Sequence, residues 1–479
     1  MMRSFLQRGR AQIRTFQSGP LPSWATVDPW AMSGASPQQG MNLVDGEWSA
    51  AAATKPVPDP LNGEAMLFVP DTQSSELAPF VASMKAVPKS GLHNPINNPG
   101  AYFEMGEVNG RASVELRKPE VHNFFAELLQ RVVPKHDVQA MGEVTVVRKW
   151  LDGYAGDGVR RLANSAALPG DHAGQETRSY RWPYGPTFNE LLLAGDSKMT
   201  LFTGSQAVAE KLTIDLRGRV KLEDAGFDWK IMGPDVQDED FVVWQADQDA
   251  YAFSGQKCSA QSICFMHENW VAAGLVGKLE RQAARRSLAD YSSGPVLSWT
   301  TDQMLAHVER TAALPGAKVA FGGSKLPGSE AFPACYGGLV PTAVEVPLDT
   351  MLASQENFDA VTTELFGPFQ ILVPYKDDEI DKVLEACERM TNHLTAAVVS
   401  NDTRFCNKVL GATVNGTMYS GVRARTTGAP QNHWFGPAGD PRSAGIHTPE
   451  AIRLCWSSHR EIIHDVGPVA DEWTMPSPT

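Results

Sequence analysis

Three side chains carry types and settings suited to carbonyl chemistry. Cys258 lies in "SGQKCSAQ", with small neighbours on both sides and Gly255 three residues earlier. Small residues let a substrate carbon approach a thiol, and a thiolate is a strong nucleophile. Taken alone, a single cysteine is more often a small buried hydrophobe. Glu223 ends the strand "GRVKLE". A carboxylate at the C-terminal end of a parallel strand points into the crevice where α/β sheets bind ligands, and partial desolvation suits it to general-base work. The plainer reading is a solvated strand-end glutamate. Glu364, in "TTELFGPFQ", precedes a Gly-Pro pair and by itself passes as a turn residue.

The elements around them are those of an α/β protein. A strand over Met199–Phe202, the turn Gly204-Ser205, a helix over Gln206–Leu216 and the strand "GRVKLEDAG" make one βαβ unit. A helix over "DEDFVVWQADQDAYAF" carries Phe241, Trp244 and Gln248 along one stripe and runs into the glycine turn before Cys258. From Val271 to Val398 helices alternate with apolar runs such as "AKVAFGG", "FQILVPY" and "TAAVVS", which predicts a second α/β domain. Toward the N-terminus, "LVDGEW" and "DPLNGEAM" read as short strands and loops. Phe124, Leu128 and Val132 recur every four residues in a helix over Val121–Val133. "VTVVRKWLDGYAGDGVRRLANSAALPG" reads as helix until Pro169-Gly170 stops it. "QETRSYRWPYGP" reads as an extended arm, and "LCWSSHREIIHDVGPV" alternates like a strand.

Composition bounds the function. A chain of 479 residues exceeds one core and predicts two or three domains. The net charge of −13 argues against a nucleic-acid partner or an anionic membrane surface. No run approaches the roughly 18 apolar residues of a membrane helix, so membrane insertion is not expected. Six cysteines, none spaced as CxxC, make neither a disulfide scaffold nor a metal-ligand cluster. Residues 1–27 hold Arg3, Arg8, Arg10 and Arg14 with no acidic residue before Asp28. That is the pattern of an organelle presequence, most simply mitochondrial, with a disordered tail as the plainer alternative.

Taken as a set, "FTGS", Glu223 about twenty residues on, "GQKCSAQ" and "ELFGPF" resemble the aldehyde dehydrogenase superfamily in order and spacing. "LRGRVKLEDAGFDWKIMGPDV", "DAYAFSGQKCSAQS" and "RTTGAPQNHWFGPAGDPR" resemble its plant-type delta-1-pyrroline-5-carboxylate (glutamate-semialdehyde) dehydrogenases, over nearly the whole chain beyond the presequence. The resemblance implies NAD-dependent oxidation of L-glutamate γ-semialdehyde to glutamate in proline catabolism, in the mitochondrial matrix. Cys258 matches the nucleophile, which forms a thiohemiacetal and, after hydride transfer to NAD, a thioester. Glu223 matches the residue that activates water to hydrolyse it. Gly204 and Ser205 match the turn facing the cofactor diphosphate. Glu364 matches the glutamate that bonds the nicotinamide-side ribose, with Phe366 packing beside it. Gly428 and Ala429 match the loop whose amides hold the substrate's α-carboxylate. Arg423 and Arg425 stand close by and read as surface arginines, although they could add charge there. A homo-oligomer formed through arm exchange is also implied, and no metal.

One departure from the family is expected to matter. Family members place two further strand–helix units between "RWPYGP" and "TLFTGS", including an asparagine that helps hold the oxyanion and a lysine for the adenosine ribose. Here "RWPYGP" meets "TFNELLLAGDSKMTLFTGS" at once, a loss of roughly 60–70 residues near 186–187. Asn189 falls in the later helix and is not taken as the oxyanion residue. The fold expected is therefore an aldehyde dehydrogenase α/β fold with a truncated Rossmann-like cofactor domain. Its division is a presequence 1–27, a cofactor-binding domain 42–230 with the arm 171–185, a catalytic domain 231–415, and a substrate loop and oligomerisation strand 416–479. The cofactor sheet would keep two of five strands, exposing edges and apolar faces. Hydride transfer would suffer more than acyl transfer, which leaves two alternatives to a full dehydrogenase: an impaired splice-type isoform that assembles with full-length subunits, or a residual thiol esterase.

Overall fold

The computed structural model describes residues 16, 19–87, 94, 96–163, 166–183, 199–224, 226–391, 393–428, 433–438, 440–446 and 448–478. Most of the presequence (1–15, 17 and 18), the junction at 186–187, Asn189 and Ala429 lie outside them. The lead-in is β-rich: β1 (Gln38–Gln39), the hairpin β2 (Asn42–Val44) and β3 (Glu47–Ser49), then β4 (Thr54–Pro58) and β5 (Ala65–Pro70). Strands β1, β5 and β4 form a three-stranded sheet in that order. Helices α1 (Ala78–Ala86), α2 (Ala101–Arg117), α3 (Pro119–Val132) and α4 (Asp137–Gly153) follow. Pro119 at the first turn of α3 forces Lys118 into extended backbone, which separates α2 from α3. Val121 and Phe124 of α3 are buried.

The helix expected to run on to Pro169 stops at Gly153. Glycines at 153, 156 and 158 break it, Gly156 with a left-handed φ of 54°. Ala166–Pro169 is instead a strand, β6, paired antiparallel with β7 (Gln175–Pro183). On its other side β7 pairs with β17 (Ser457–Asp465) over nine residues, from Gln175↔Asp465 to Pro183↔Ser457. Arg181 locks this arm by donating to the Ser457 hydroxyl (3.1 Å) and carbonyl (2.8 Å).

The βαβ unit forms as expected. Strand β8 (Thr200–Gly204), helix α5 (Gln206–Asp215) and strand β9 (Val220–Asp224) make a two-stranded parallel sheet with one covering helix. Its core is Ala209, Leu216, Val220 and Leu222. Two strands bury little, and Ile214 is 77% exposed. Among the described residues β8 pairs only with β9. The other edge of β9 is held by the C-terminal chain: the Leu222 amide donates to Arg442 O (2.9 Å) and the Ala444 amide to Leu222 O (2.8 Å). Arg442 also reaches Glu210 (3.0 Å) and the Thr213 hydroxyl (3.1 Å) of α5.

The large sheet holds β10 (Asp228–Met232), β11 (Gln261–His267), β12 (Lys318–Phe321), β13 (Thr342–Glu345), β14 (Phe369–Tyr375), β15 (Thr395–Val399) and β16 (Thr417–Ser420). Their order is β12-β13-β14-β11-β10-β15-β16, parallel throughout except for β12 against β13. The central strands bury both faces. Trp229, Ile231, Ile263 and Phe265 enter one apolar layer, and Met232, Cys264 and Met266 the other. Helix α6 (Glu239–Tyr251) covers the second layer through Val242, Val243, Ala246 and Ala250. The Phe241–Trp244–Gln248 stripe noted in the sequence is its outer side, with Trp244 45% exposed. This sheet includes β16 and Asp228–Lys230 of β10, which the sequence-based division assigns to the flanking segments.

Because Arg442 ties α5 to the C-terminal chain, Arg442→Ala should accelerate amide exchange over 206–215 severalfold and leave β11 unchanged. Hydrogen-exchange mass spectrometry reads both.

Candidate functional site

The residues singled out in the sequence meet where the two sheets face each other. The small sheet contributes the C-terminal end of β9, bearing Glu223. The large sheet contributes the N-terminal ends of its strands: Cys258 just before β11, Glu364 before β14, and Asp228 as the first residue of β10.

Cys258 is set by an unusual turn. Phe253, Ser254 and Gly255 have successive left-handed φ values of 59°, 52° and 68°. A Cβ on Gly255 would overlap the Gly367 carbonyl, so only glycine lets the thiol's loop lie against the loop carrying Glu364. The turn is tied down by its neighbours. Ser254 Oγ accepts from the Gly294 amide (2.8 Å). Gln256 donates to Pro295 O (3.0 Å) and accepts from the Leu297 amide (2.9 Å). Lys135, 3.9 Å above the Phe253 ring, brings α4's leading loop onto the same turn.

The Cys258 thiol donates a hydrogen bond to the Glu223 carboxylate. Burial pushes the thiol's pKa well up, and the nearby charge and hydrogen bond of Glu223 push it further, followed by Asp228 and Glu364. The resting group is therefore a protonated thiol with a base on its proton. Burial raises the pKa of Glu223 too, while the bond from Cys258 lowers it. Burial raises Glu364 to about 7, against the Gly226 amide, whose hydrogen bond favours the carboxylate. Asp228 is fully enclosed and pushed well above the carboxylate range by burial first. Its Oδ1 accepts from the Thr395 amide (2.7 Å), and its Oδ2 has no hydrogen-bond partner among the described residues. A Cβ on Gly226 would stand 3.2 Å from Cys258 O and 3.3 Å from that Oδ2. Beside the thiol, Lys257 donates to Gln248 O (2.9 Å), and burial lowers its pKa to about 8.

The remaining expected residues lie nearby or apart. Gly204 ends β8 and Ser205 caps α5; both are exposed, and no side-chain bond closes the helix N-terminus. That open turn with the Glu364 carboxylate fits the diphosphate and nicotinamide-side ribose of a dinucleotide. The two-stranded sheet offers little for the adenosine half. Phe366 is half-buried beside Glu364, its carbonyl 3.4 Å from Ser298 Oγ. Gly428 is exposed with φ 78°. Arg423 stands over the Phe241 ring, 5.7 Å from its centroid. Arg425, read from sequence as a surface group, is half-buried, its guanidinium 3.5 Å from the place of a Gly428 Cβ.

Two features had no sequence signal. One is Asp228, the first residue of β10, a strand not among those expected from the sequence. The other is the buried pair Lys230–Asp249 (2.7 Å), both side chains at most 1% exposed. His267, Glu268 and Asp377 also cluster, but at the opposite end of β11. Both His267 ring nitrogens there are engaged, with Asp377 (2.8 Å) and the Asn269 amide (3.2 Å). Among the described residues no helix is long and apolar enough to cross a membrane.

The pattern of the aldehyde dehydrogenase family matches residues 183–438. A "Probable aldehyde dehydrogenase" of Linum usitatissimum is 47% identical over 538 aligned positions, covering 99% of this chain and 97% of that one. Those positions exceed this chain's 479 residues by 59, so the relative carries at least that much sequence with no counterpart here. "Delta-1-pyrroline-5-carboxylate dehydrogenase 12A1, mitochondrial" of Arabidopsis thaliana is 48% identical over 95% of this chain and 94% of its own. Among solved structures, aldehyde dehydrogenase 21 of Physcomitrella patens in complex with succinate superposes with a TM-score of 0.73 at 14% identity. It covers 91% of this chain and 100% of that one. A putative methylmalonate-semialdehyde dehydrogenase of Sinorhizobium meliloti complexed with NAD gives 0.72 at 17%, again over 91% and 100%. The fold is the α/β fold of these enzymes.

The raised pKa of Glu364 has a signed consequence. Folded, this carboxyl keeps its proton up to about pH 7, whereas its ordinary value is 4.5. The unfolded chain therefore binds fewer protons between those values, and stability falls as pH rises through that window. Glu364→Gln removes the fall. Its melting temperature should exceed the parent's by about 2 °C or more at pH 8 and converge with it near pH 4.5, read by differential scanning fluorimetry.

Proposed function

The chain belongs to the aldehyde dehydrogenase family, and on that footing we propose that it oxidises L-glutamate γ-semialdehyde, the open form of 1-pyrroline-5-carboxylate, to glutamate with NAD. The observation that carries the reading is the hydrogen bond from the Cys258 thiol to Glu223 inside a water-poor space. The substrate is taken from the 48% identity to the Arabidopsis relative. The mitochondrial location rests on that relative's name and on the Arg-rich residues 1–27.

Substrate binding displaces the remaining water, and Cys258 Sγ attacks the aldehyde carbon as its proton passes to Glu223. NAD, when bound against Gly204, Ser205 and Glu364, supplies the hydride acceptor. Glu223 passes the thiol's proton to solvent and, with the carbon at the acid oxidation level, takes a proton from water, which attacks the thioester carbonyl. The C–S bond breaks, glutamate leaves and the thiol is restored. The raised pKa of Glu223 suits it to accept protons near neutral pH.

A second reading has its own observation. The thiol, the base and the β7–β17 arm are in place, while β8 and β9 form a two-stranded sheet. Under that reading the chain is a residual thiol esterase or an assembly partner of longer subunits. NADH formation from pyrroline-5-carboxylate decides between them, run beside ester hydrolysis. The dehydrogenase reading expects NADH from the parent, none from Cys258→Ala, and a loss of about 10²-fold or more in Glu223→Gln. Cys258-dependent ester hydrolysis without NADH overturns it for this chain.

A further inference from the structure

Three cations converge on the last turn of α6. That turn has no basic residue of its own, and the C-terminal end of a helix favours positive charge. Arg286, from the chain after Ala283, pairs with Asp247, and both side chains are buried. Lys230 of β10 pairs with Asp249 (2.7 Å). Asp249 also accepts from Gln245 Nε2 (2.9 Å), the Thr426 amide (3.0 Å) and Thr427 Oγ1 (3.0 Å). The third cation is Lys257. Its Nζ donates to the carbonyl of Gln248, the residue between the two aspartates (2.9 Å). Buried carboxylates tolerate desolvation only while such partners are in place, so this helix end is a fixed point. Three cations face two carboxylates there, and Arg286 and Lys230 hold the carboxylates. The positive charge in excess belongs to Lys257.

Lys257 also opens the turn that bears the thiol. Its amide donates to Gly255 O (3.0 Å), and its carbonyl accepts from the Ala260 amide (3.1 Å). The second bond closes a four-residue turn over 257–260, with Cys258 as its second residue. Amide, carbonyl and ammonium of Lys257 are all engaged, so the first corner of that turn moves only if it leaves α6. Gln256 anchors the chain one residue earlier, on the 295–297 segment. The groups that act on the thiol, Glu223, Asp228 and Glu364, are carboxyls that oppose a thiolate. Lys257 adjoins Cys258 in the chain and carries the opposite sign.

We propose that Lys257 is a positioning residue for the nucleophile: its ammonium seats the turn of Cys258 on the C-terminal end of α6 and sets beside the thiol a positive charge that eases passage of the thiol's proton to Glu223. The inference rests on the proposed function only in taking Cys258 as the nucleophile. Burial lowers the pKa of Lys257 to about 8, so the charge is present below that value and lost above it. Asp249, Arg286, Cys258 and Lys230 act on it directly. Asp247 acts through its pair with Arg286, and Glu223 through the Cys258 thiol.

The test uses the full chain and needs neither NAD nor substrate. Alkylation of Cys258 by iodoacetamide is followed by peptide mass analysis from about pH 6 to about pH 10, beside melting temperature. In the parent the rate should climb with the thiolate fraction up to about pH 8 and more slowly above it, as Lys257 discharges. Lys257→Met should react about tenfold or more slowly near pH 7, with the gap narrowing to about threefold or less near pH 10. Lys257→Arg keeps its charge throughout, so it should recover the rate near pH 7 to within about threefold and climb without the break. An unchanged rate in Lys257→Met, a deficit equal at every pH, or no recovery in Lys257→Arg overturns the inference. If Lys257→Met melts too low to assay, the break in the parent and its absence from Lys257→Arg decide alone. A parent that shows the break but forms no NADH from pyrroline-5-carboxylate ends the dehydrogenase reading and leaves the role of Lys257 standing. A parent whose Cys258 resists alkylation at every pH overturns both.

Discussion

The hydrogen bond between the Cys258 thiol and the Glu223 carboxylate joins two sheets that share no strand. It exists only while β9 is held at a fixed distance from the loop before β11. The large sheet is rigid on its own account, buried on both faces around Ile263, Phe265, Cys264 and Met266. The small sheet has two strands and one helix, and its apolar core is four residues. What fixes β9 is its second edge, where Leu222 pairs with the 442–444 chain rather than with another strand of its own sheet. Glu223 stands next to Leu222 on the same strand, so the base is placed by the C-terminal chain. A loss of strands on the β8 side therefore leaves thiol and base together.

The same arrangement separates the two halves of the expected chemistry. The proposed thiol attack and thioester hydrolysis would rest on Cys258 and Glu223, which β9 and the loop before β11 bring together. Holding a dinucleotide needs an extended sheet edge as well as a helix N-terminus. Of these, the described chain offers the α5 turn and Glu364. The 59 or more positions that the Linum relative carries in excess agree in size with two strand–helix units.

The sequence was informative where function depends on local pattern. Cys258 after a glycine turn, Glu223 at a strand end and Glu364 before Gly-Pro are each weak signs, and their common order and spacing named the family. The strands β9, β11, β14 and β15 followed from apolar runs of the right length. The failures share a cause. Lys230 and Asp249 lie nineteen residues apart on different elements, and only the alternation of β10 against the buried side of α6 brings them together. Asp228 carries no sign in the sequence because its partner, the Thr395 amide, lies 167 residues later. Arg425 looks like surface charge because its burial is decided by the turn that Asp249 holds. Ala166–Pro169 was read as helix because its partner β7 lies beyond a turn, and pairing across it outweighed local helix preference.

Charge balance explains why so many carboxyl groups can surround one thiol. Three ionised carboxylates beside a thiolate would repel one another strongly in a medium of low dielectric. Burial instead raises the pKa of Asp228 and Glu364 toward their neutral forms, while the hydrogen bond from the thiol draws Glu223 toward its carboxylate. Forming a thiolate then need only move a proton from sulfur to a neighbouring oxygen, and the net charge of the space is unchanged.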